Sequence, residues 1–224
     1  MFDKNEILFK LLSLPAILFC LSIHELAHGW VANKLGDNTA RNFGRLTLSP
    51  LKHIDPIGFL ALLLVGFGWA KPVPVNMRNF NKPKRDMALT ALAGPVSNLL
   101  SAFVFAFILG FYELLLDRVI VVDSQKTAQI LTLLYYVIYC FVGINISLAI
   151  FNLIPIPPLD GSRILDCFLP QKAYVAYHKY EPYVSLALMA ILIFTNILTP
   201  FLAGARDIVE MIILYIPEKV FSLL

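Results

Sequence analysis

The sequence predicts an all-α polytopic membrane protein with about four to six transmembrane helices. Hydrophobic residues make up 58% of the 224 positions and charged residues 15%, whereas soluble domains are about 45–50% apolar and about 25% charged. Several apolar runs approach the roughly 20 residues that are needed to cross the hydrocarbon core. We therefore expect one membrane-embedded domain, residues 1–224, in direct contact with the lipid bilayer.

Charge and cysteine usage exclude other classes of protein. The net charge is only +3 and the basic residues cluster in a few loops, which is typical of topology signals and not of a nucleic-acid-binding surface. The three cysteines are far apart and none has CxxC spacing, so neither a disulfide framework nor a thiolate metal site is expected.

The first predicted helix covers residues 6–35. Residues 7–23 are apolar apart from Lys10 and two serines, and no helix breaker follows before Gly36. The acidic N-terminus and the lack of a small-residue cleavage site favour a transmembrane helix over a removable signal peptide. The motif HELAH, residues 24–28, lies in the second half of this helix, below one membrane face and within reach of water.

The next apolar run, residues 57–70, is short for a transmembrane span and contains three glycines. The loops on both of its sides are basic, so the positive-inside rule places both in the cytoplasm and favours a re-entrant segment. The sequence PVPVN, residues 72–76, permits a short strand, whose edge could pair with an unfolded substrate. We therefore predict a re-entrant or short β segment near residues 56–80.

Two more long helices are predicted over residues 87–116 and 128–153. A short loop of mixed charge joins them on the outer side, and three prolines end the second helix. C-terminal helices follow over residues 181–224, with a span at 184–202 and a last segment, 207–224, that either spans the membrane or lies on it. This order places HELAH and residue 160 together at the cytoplasmic face.

The spacing of HELAH is typical of a zinc hydrolase. Residues i and i+4 share one face of an α-helix, so His24 and His28 can direct a ring nitrogen at one ion. Glu25 is rotated by about 100° from His24, close enough to act as general base on a metal-activated water. Ionisable side chains inside a membrane are costly and usually functional, which disfavours a merely structural role for these histidines.

A catalytic zinc needs a third protein ligand and one open position. The candidate is Asp160, at the end of an apolar span, because the prolines before it and Gly161 after it can turn its carboxylate back toward the first helix. The competing interpretation is an aspartate that only caps the helix beginning at GSRIL. We predict one Zn²⁺ per chain.

HELAH in a first span, followed by NLIPIPPLDG (residues 152–161) at the end of a later span, resembles the site-2 protease family of intramembrane zinc metalloproteases, peptidase family M50. Residues 94–98, GPVSN, resemble a GPxxN element of that family, and the resemblance covers a catalytic core of about residues 10–170. It implies zinc held by His24, His28 and Asp160, with Glu25 as base. It also places Asn152 beside the active site, donating to the scissile carbonyl or its oxyanion.

The same resemblance implies cleavage of transmembrane segments of other membrane proteins. The sequence indicates a short form without a PDZ or nucleotide-sensing module, which favours the plasma membrane of a prokaryote with the active site toward the cytoplasmic face. The roles of His53 and Asn98 are left open. His53 is a gate, an alternative ligand, a residue that supports a ligand, or a solvated loop histidine. Asn98 either forms a hydrogen bond between helices beside the site or only packs helices together.

Three other functions fit parts of the sequence. A non-catalytic metal-binding scaffold would keep the fold, but the intact Glu25 argues against it. A metal-ion transporter would carry more carboxylates or histidines along several spans than this chain has. A prenyl-protein type of HExxH membrane protease would place its later acidic ligand in a different motif.

Overall fold

The computed structural model describes residues 4–65, 68–120 and 124–223. Within these ranges the chain is helical, as predicted, and two short 3₁₀ turns lie at Pro50–Lys52 and Met77–Asn79. The α-helices are α1 (Lys4–Lys34), α2 (Thr39–Asn42), α3 (Pro56–Val65), α4 (Pro83–Arg118), α5 (Gln125–Leu153), α6 (Asp160–Asp166), α7 (Gln171–Phe194) and α8 (Thr199–Ser222).

Three of the described helices are long and apolar enough to cross a membrane, namely α1, α4 and α5. Helices α7 and α8 meet at an angle of 87° and would add a fourth crossing only if the bent pair forms one span. The predicted number of four to six helices is therefore reached only at its lower limit, and only in that case.

The C-terminal region differs from the prediction. The span expected over residues 184–202 is interrupted, because Thr195 has extended backbone angles (φ −137°, ψ 160°) and ends α7. Pro200 then occupies the first turn of α8, a position where proline is favoured because its missing N–H has no helical partner. The segment 207–224 lies within α8 up to Ser222, and α8 packs against α4 and α5.

The short strand predicted near residues 56–80 is not formed in the described part of this segment. Its only β feature there is one antiparallel bridge between Ile54 and Ala70. Residues 71–76 lie outside any helix or strand, and Pro72 and Pro74 cannot donate the backbone hydrogen bonds that a ladder needs. Gly66 and Phe67, at the tip of the predicted re-entrant segment, lie outside the described residues.

Helices α1, α4 and α5 pack against one another and form the core that positions the site. Much of the contact between α4 and α5 is made by small or branched residues, among them Ala102, Ala106, Val142 and Ile146, all fully or almost fully buried. Small residues allow helix backbones to approach closely, which is the usual way to join helices in a membrane. Helix α6 rests on α4 and α5.

Asp37, just after α1, fastens the segment 71–79 to the end of that helix. Its carboxylate is fully buried and accepts hydrogen bonds from Asn76 N and Asn79 Nδ2, each at 2.7 Å, and from Thr39 N at 3.1 Å. Burial alone would raise the pKa of Asp37, but these donors outweigh it and hold the pKa below its ordinary value.

We expect Asp37→Asn to lower the free energy of unfolding by about 1–3 kcal/mol, since an amide nitrogen cannot accept from Asn76 N and leaves a buried donor unpaired. A lowered native pKa stabilises the fold above the unfolded value near 4, and this stabilisation is lost as the pH falls through the native pKa. Thermal unfolding of both proteins at pH 7 and below pH 4 checks this. A difference between them that does not shrink in acid would contradict the role of the charge.

Candidate active site

His24, His28 and Asp160 converge at one point between α1 and α6. One ligand atom from each residue lies within 4.8 Å of the other two. The Oδ2 atom of Asp160 is 3.0 Å from His24 Nε2 and 3.2 Å from His28 Nε2. The structure thus brings together the three metal ligands predicted from two motifs that are 136 residues apart along the chain.

Asp160 reaches the histidines because α6 begins directly beside the end of α5. Helix α5 ends at Leu153, and Asp160 lies in the first turn of α6. Gly161 allows this close approach, since a Cβ atom at that position would lie 2.3 Å from the Leu153 carbonyl oxygen and 2.4 Å from that of Ile154. The glycine is therefore needed for space and not for a left-handed turn.

Each histidine is held through the ring nitrogen that points away from Asp160. His28 Nδ1 lies 2.7 Å from the backbone carbonyl oxygen of Thr90, and His24 Nδ1 lies 2.6 Å from Asn98 Oδ1. A carbonyl oxygen only accepts, so His28 carries a proton on Nδ1, and Nε2 is the nitrogen that faces Asp160 and would offer its lone pair to a bound metal. Fixing a ligand histidine in this way is the usual arrangement around protein-bound metals.

Gly94 leaves room for both imidazole rings. A Cβ atom at this position would lie 2.5 Å from His28 Nε2 and 2.6 Å from His24 Cε1. Pro95 follows inside α4, and Asn98 lies one turn further on. The GPxxN element thus contributes space for the rings through its glycine and a hydrogen bond to His24 through its asparagine.

We expect Gly94→Ala to displace both rings and to weaken zinc binding by at least tenfold, because neither histidine can turn away without losing its hydrogen bond on Nδ1. Gly143→Ala is a matched control, since Gly143 is a buried helical glycine that faces Arg206 instead of the histidines. Zinc content after dialysis against a chelator measures the effect. Equal zinc retention by the two variants would contradict it.

Glu25 is buried beside the histidines and contacts the extended segment 71–76. Its Oε2 atom accepts a hydrogen bond of 2.7 Å from the backbone N–H of Val73. The carboxylate of Glu25 is not a member of the cluster of converging ligand atoms. It is therefore available for proton transfer, and its position is tied to the backbone of a loop.

A cavity of about 580 Å³ opens onto these residues. Asn152 lines it together with Glu25 and Asp160, and its Nδ2 donates to the Leu148 carbonyl oxygen of its own helix at 3.0 Å. A second, largely apolar cavity of about 570 Å³ shares a wall with the first. The residues common to both are Leu21, Gly68, Trp69, Ala70, Leu148, Phe151 and Leu192.

The surroundings of His53 exclude the interpretation as a solvated residue. This residue is only 1% exposed, so it is not a solvated loop histidine, and it is not part of the metal cluster found among the described residues. Its Nε2 bonds the Thr47 carbonyl oxygen at 2.8 Å, and its own carbonyl oxygen accepts from Lys71 N at 2.8 Å. His53 thus anchors the start of the extended segment.

Three contributors to the site were not predicted from the sequence. The backbone N–H of Val73 and the backbone carbonyl of Thr90 give no signal in a residue pattern, because any amino acid other than proline supplies them. Asn145, which contacts Asn98, carried a readable signal, since a polar side chain in the middle of an apolar helix usually has a specific partner.

The donor set fits zinc. Two imidazole nitrogens and one carboxylate oxygen are ligands that catalytic zinc uses, with one position left for water or substrate. Burial alone would raise the pKa of Asp160, but the adjacent His28 and His24 lower it well below its ordinary value. Asp160 is therefore an anionic candidate ligand.

Comparisons with known proteins identify the family to which this chain belongs. The model of peptidase family M50 matches residues 13–195. The "Putative zinc metalloprotease YwhC" of Bacillus subtilis is 40% identical over 194 residues, which are 85% of each chain. The "Putative zinc metalloprotease MJ0611" of Methanocaldococcus jannaschii is 30% identical over 164 residues, 73% of this chain and 74% of that one.

A more distant match is the "Putative zinc metalloprotease Rip2" of Mycolicibacterium smegmatis, 29% identical over 155 residues, which are 66% of this chain and 54% of the relative. No solved structure matches the chain significantly. The family and the relatives imply Zn²⁺ as the cofactor. The chain belongs to peptidase family M50, the site-2 protease family of membrane-embedded zinc metalloproteases.

Proposed function

We propose that this protein hydrolyses peptide bonds within transmembrane segments of other membrane proteins, with His24, His28 and Asp160 as zinc ligands and Glu25 as general base. The observation that carries the proposal is the convergence of three ligand atoms within 4.8 Å beside a buried glutamate, between helices apolar enough to span a membrane. We assign this activity to a single membrane-embedded domain that covers the whole chain.

Zinc, when bound, supplies a Lewis acid that polarises the scissile carbonyl and lowers the pKa of a water molecule to about 7. Glu25 accepts the proton of that water as it attacks, and then delivers the proton to the leaving amine nitrogen. The Val73 N–H holds Oε2 of Glu25 at 2.7 Å, which limits rotation of the carboxylate and keeps the other oxygen available for the proton.

Asn152 fits a role in binding the scissile carbonyl. It lines the same cavity as Glu25 and Asp160, and within the described part of the chain its side-chain amide bonds only a carbonyl of its own helix. A small rotation would allow the amide to donate to an oxyanion, an interaction typically worth about 10²- to 10³-fold in kcat.

The substrate must be locally unwound, because a peptide bond in a helix is shielded by its own hydrogen bonds. The extended segment 71–76 lies along the catalytic cavity, and the adjoining apolar cavity offers space for the hydrophobic residues next to the scissile bond. We propose that the re-entrant region 56–80 controls access and holds the substrate in an extended form.

The basic loops support an active site at the cytoplasmic face, which is the orientation that we propose. With Arg78→Cys and Ile120→Cys made separately in a Cys167→Ser background, we expect an impermeant thiol reagent to label the two positions from opposite sides of the membrane. The remaining cysteines, Cys20 and Cys140, are buried. Labelling of both introduced cysteines from one side would contradict this orientation.

Proteolysis is tested with purified protein in proteoliposomes that contain single-span membrane proteins, with cut sites mapped by mass spectrometry. We expect cuts within apolar segments that disappear on chelation and return with zinc. A scaffold without catalytic activity would bind zinc and release no fragments. A protease of another specificity would cut unfolded casein but leave the transmembrane segments intact.

A further inference from the structure

Two buried asparagines form a chain of hydrogen bonds from α5 to the ring of His24. Asn145 on α5 and Asn98 on α4 are both 0% exposed. Asn145 Nδ2 donates to the Phe141 carbonyl oxygen at 2.7 Å. Asn98 Nδ2 donates to Asn145 Oδ1 at 2.8 Å and to the Cys20 carbonyl oxygen at 3.1 Å.

The direction of every bond in this chain is determined. The carbonyl of Phe141 can only accept, so the amide of Asn145 turns its oxygen toward Asn98. That oxygen and the carbonyl of Cys20 require the nitrogen of the Asn98 amide, which leaves the Asn98 oxygen facing His24 at 2.6 Å. Because this oxygen also only accepts, His24 carries a proton on Nδ1. Nε2 is then the nitrogen that faces Asp160 Oδ2 at 3.0 Å, and it would offer its lone pair to a bound metal.

We propose that Asn145 is a positioning residue that acts through Asn98 to hold His24 in its metal-binding tautomer. Without Asn145, only the Cys20 carbonyl fixes the Asn98 amide. The amide can then rotate and offer Nδ2 to His24 Nδ1, which moves the ring proton to Nε2 and blocks metal binding. This assignment rests on the proposed ligand set, since it gives Asn145 a role only if His24 binds zinc.

The location of Asn145 supports this role over simple helix packing. Its side chain bonds its own helix and the residue that contacts a candidate ligand, and it also contacts the Cys20 thiol of α1. Polar groups in membrane helices are costly, and an apolar residue of similar size would pack α5 against α4 without that cost. The asparagine is thus best explained by the orientation that it imposes on Asn98.

The test measures zinc affinity of the full-length protein in detergent by competition with a chromophoric chelator. We expect Asn145→Leu to weaken zinc binding by about tenfold, the lower end of the usual effect for residues behind a ligand. Asn145→Asp keeps the oxygen that accepts from Asn98 and should retain most of the affinity. Ser101→Ala is a control for the loss of a hydrogen bond inside a helix. Ser101 is a buried α4 residue whose side chain, among the described residues, bonds only the Ser97 carbonyl.

A double-mutant cycle distinguishes an effect that passes from Asn145 through Asn98 from a general loss of structure. If Asn145 acts through Asn98, then Asn145→Leu should weaken zinc binding no further in an Asn98→Leu background. The absorption spectrum of the cobalt-loaded protein gives a second readout, and we expect the same altered ligand field for both single variants. Additive losses, or equal zinc affinity for Asn145→Leu and Ser101→Ala, would overturn the proposal.

The proposed ligand set is tested separately by His24→Ala. Zinc binding that is unchanged by this substitution would remove His24 from the ligand set and overturn the role of Asn145 with it. If His24→Ala abolishes binding and Asn145→Leu has no effect, then only the positioning role fails and the proposed function stands.

Discussion

Replacing Glu25 with glutamine is expected to lower peptide-bond cleavage by about 10²- to 10⁴-fold, the usual contribution of a positioned general base, while zinc stays bound. Glutamine still offers an oxygen to the Val73 N–H, which Glu25 contacts at 2.7 Å, so the loop keeps its anchor. What is lost is the ability to take up a proton. Cleavage rates in proteoliposomes and zinc content of the same sample measure both parts of this prediction.

Glu210→Gln is the matched control for this experiment. Glu210 is a largely buried glutamate of α8 that bonds Tyr139 and Arg206, and it does not line the catalytic cavity. Its substitution should change stability more than the rate of cleavage. Persistent cleavage in the Glu25 variant would show that another group accepts the proton.

Replacing Asp160 with alanine is expected to reduce the zinc content from about one ion per chain to a small fraction of that value. The carboxylate lies 3.0 Å from His24 Nε2 and 3.2 Å from His28 Nε2, and the described residues bring no other carboxylate or thiolate into this cluster. Two histidines alone make a weak site, because structural and catalytic zinc sites usually have at least three protein ligands. Metal analysis of the purified protein gives the result directly.

Asp166→Ala controls for disturbance of α6. Asp166 is a buried carboxylate of the same short helix, but it pairs with His178 at 3.0 Å instead of facing the metal site. We expect this variant to keep its zinc. Full zinc content in the Asp160 variant would remove that residue from the ligand set and favour a different third ligand.

The sequence was sufficient to predict that His24, His28 and Asp160 lie together, because the signal of each motif is local. The i, i+4 spacing of His24 and His28 and the high cost of charge in an apolar helix both act within a few turns of α1. The pairing with Asp160 required only that the prolines after Leu153 reverse the chain. The long helices α1, α4 and α5 were equally predictable, since their apolar runs are long.

Other features depend on packing between distant segments, and the residue pattern did not reveal them. The burial of His53 and the contact from Val73 N to Glu25 arise only once residues 71–76 lie against α1. The absence of the strand could have been predicted, because Pro72 and Pro74 lack the backbone N–H groups that a strand donates. The end of α7 at Thr195 was not predicted, because the apolar run in the sequence continues past this residue.

The distance along the sequence between the two metal motifs has a consequence for the lifetime of the protein. In the proposed ligand set, one ion links residue 24 to residue 160 and so closes a long loop. Without the ion, only packing keeps these two parts of the chain together. Occupancy by zinc then adds to the free energy that keeps α6 on the bundle. A shortage of zinc would therefore first lower the stability of the fold. The zinc-free molecules would be inactive and also susceptible to quality-control proteolysis.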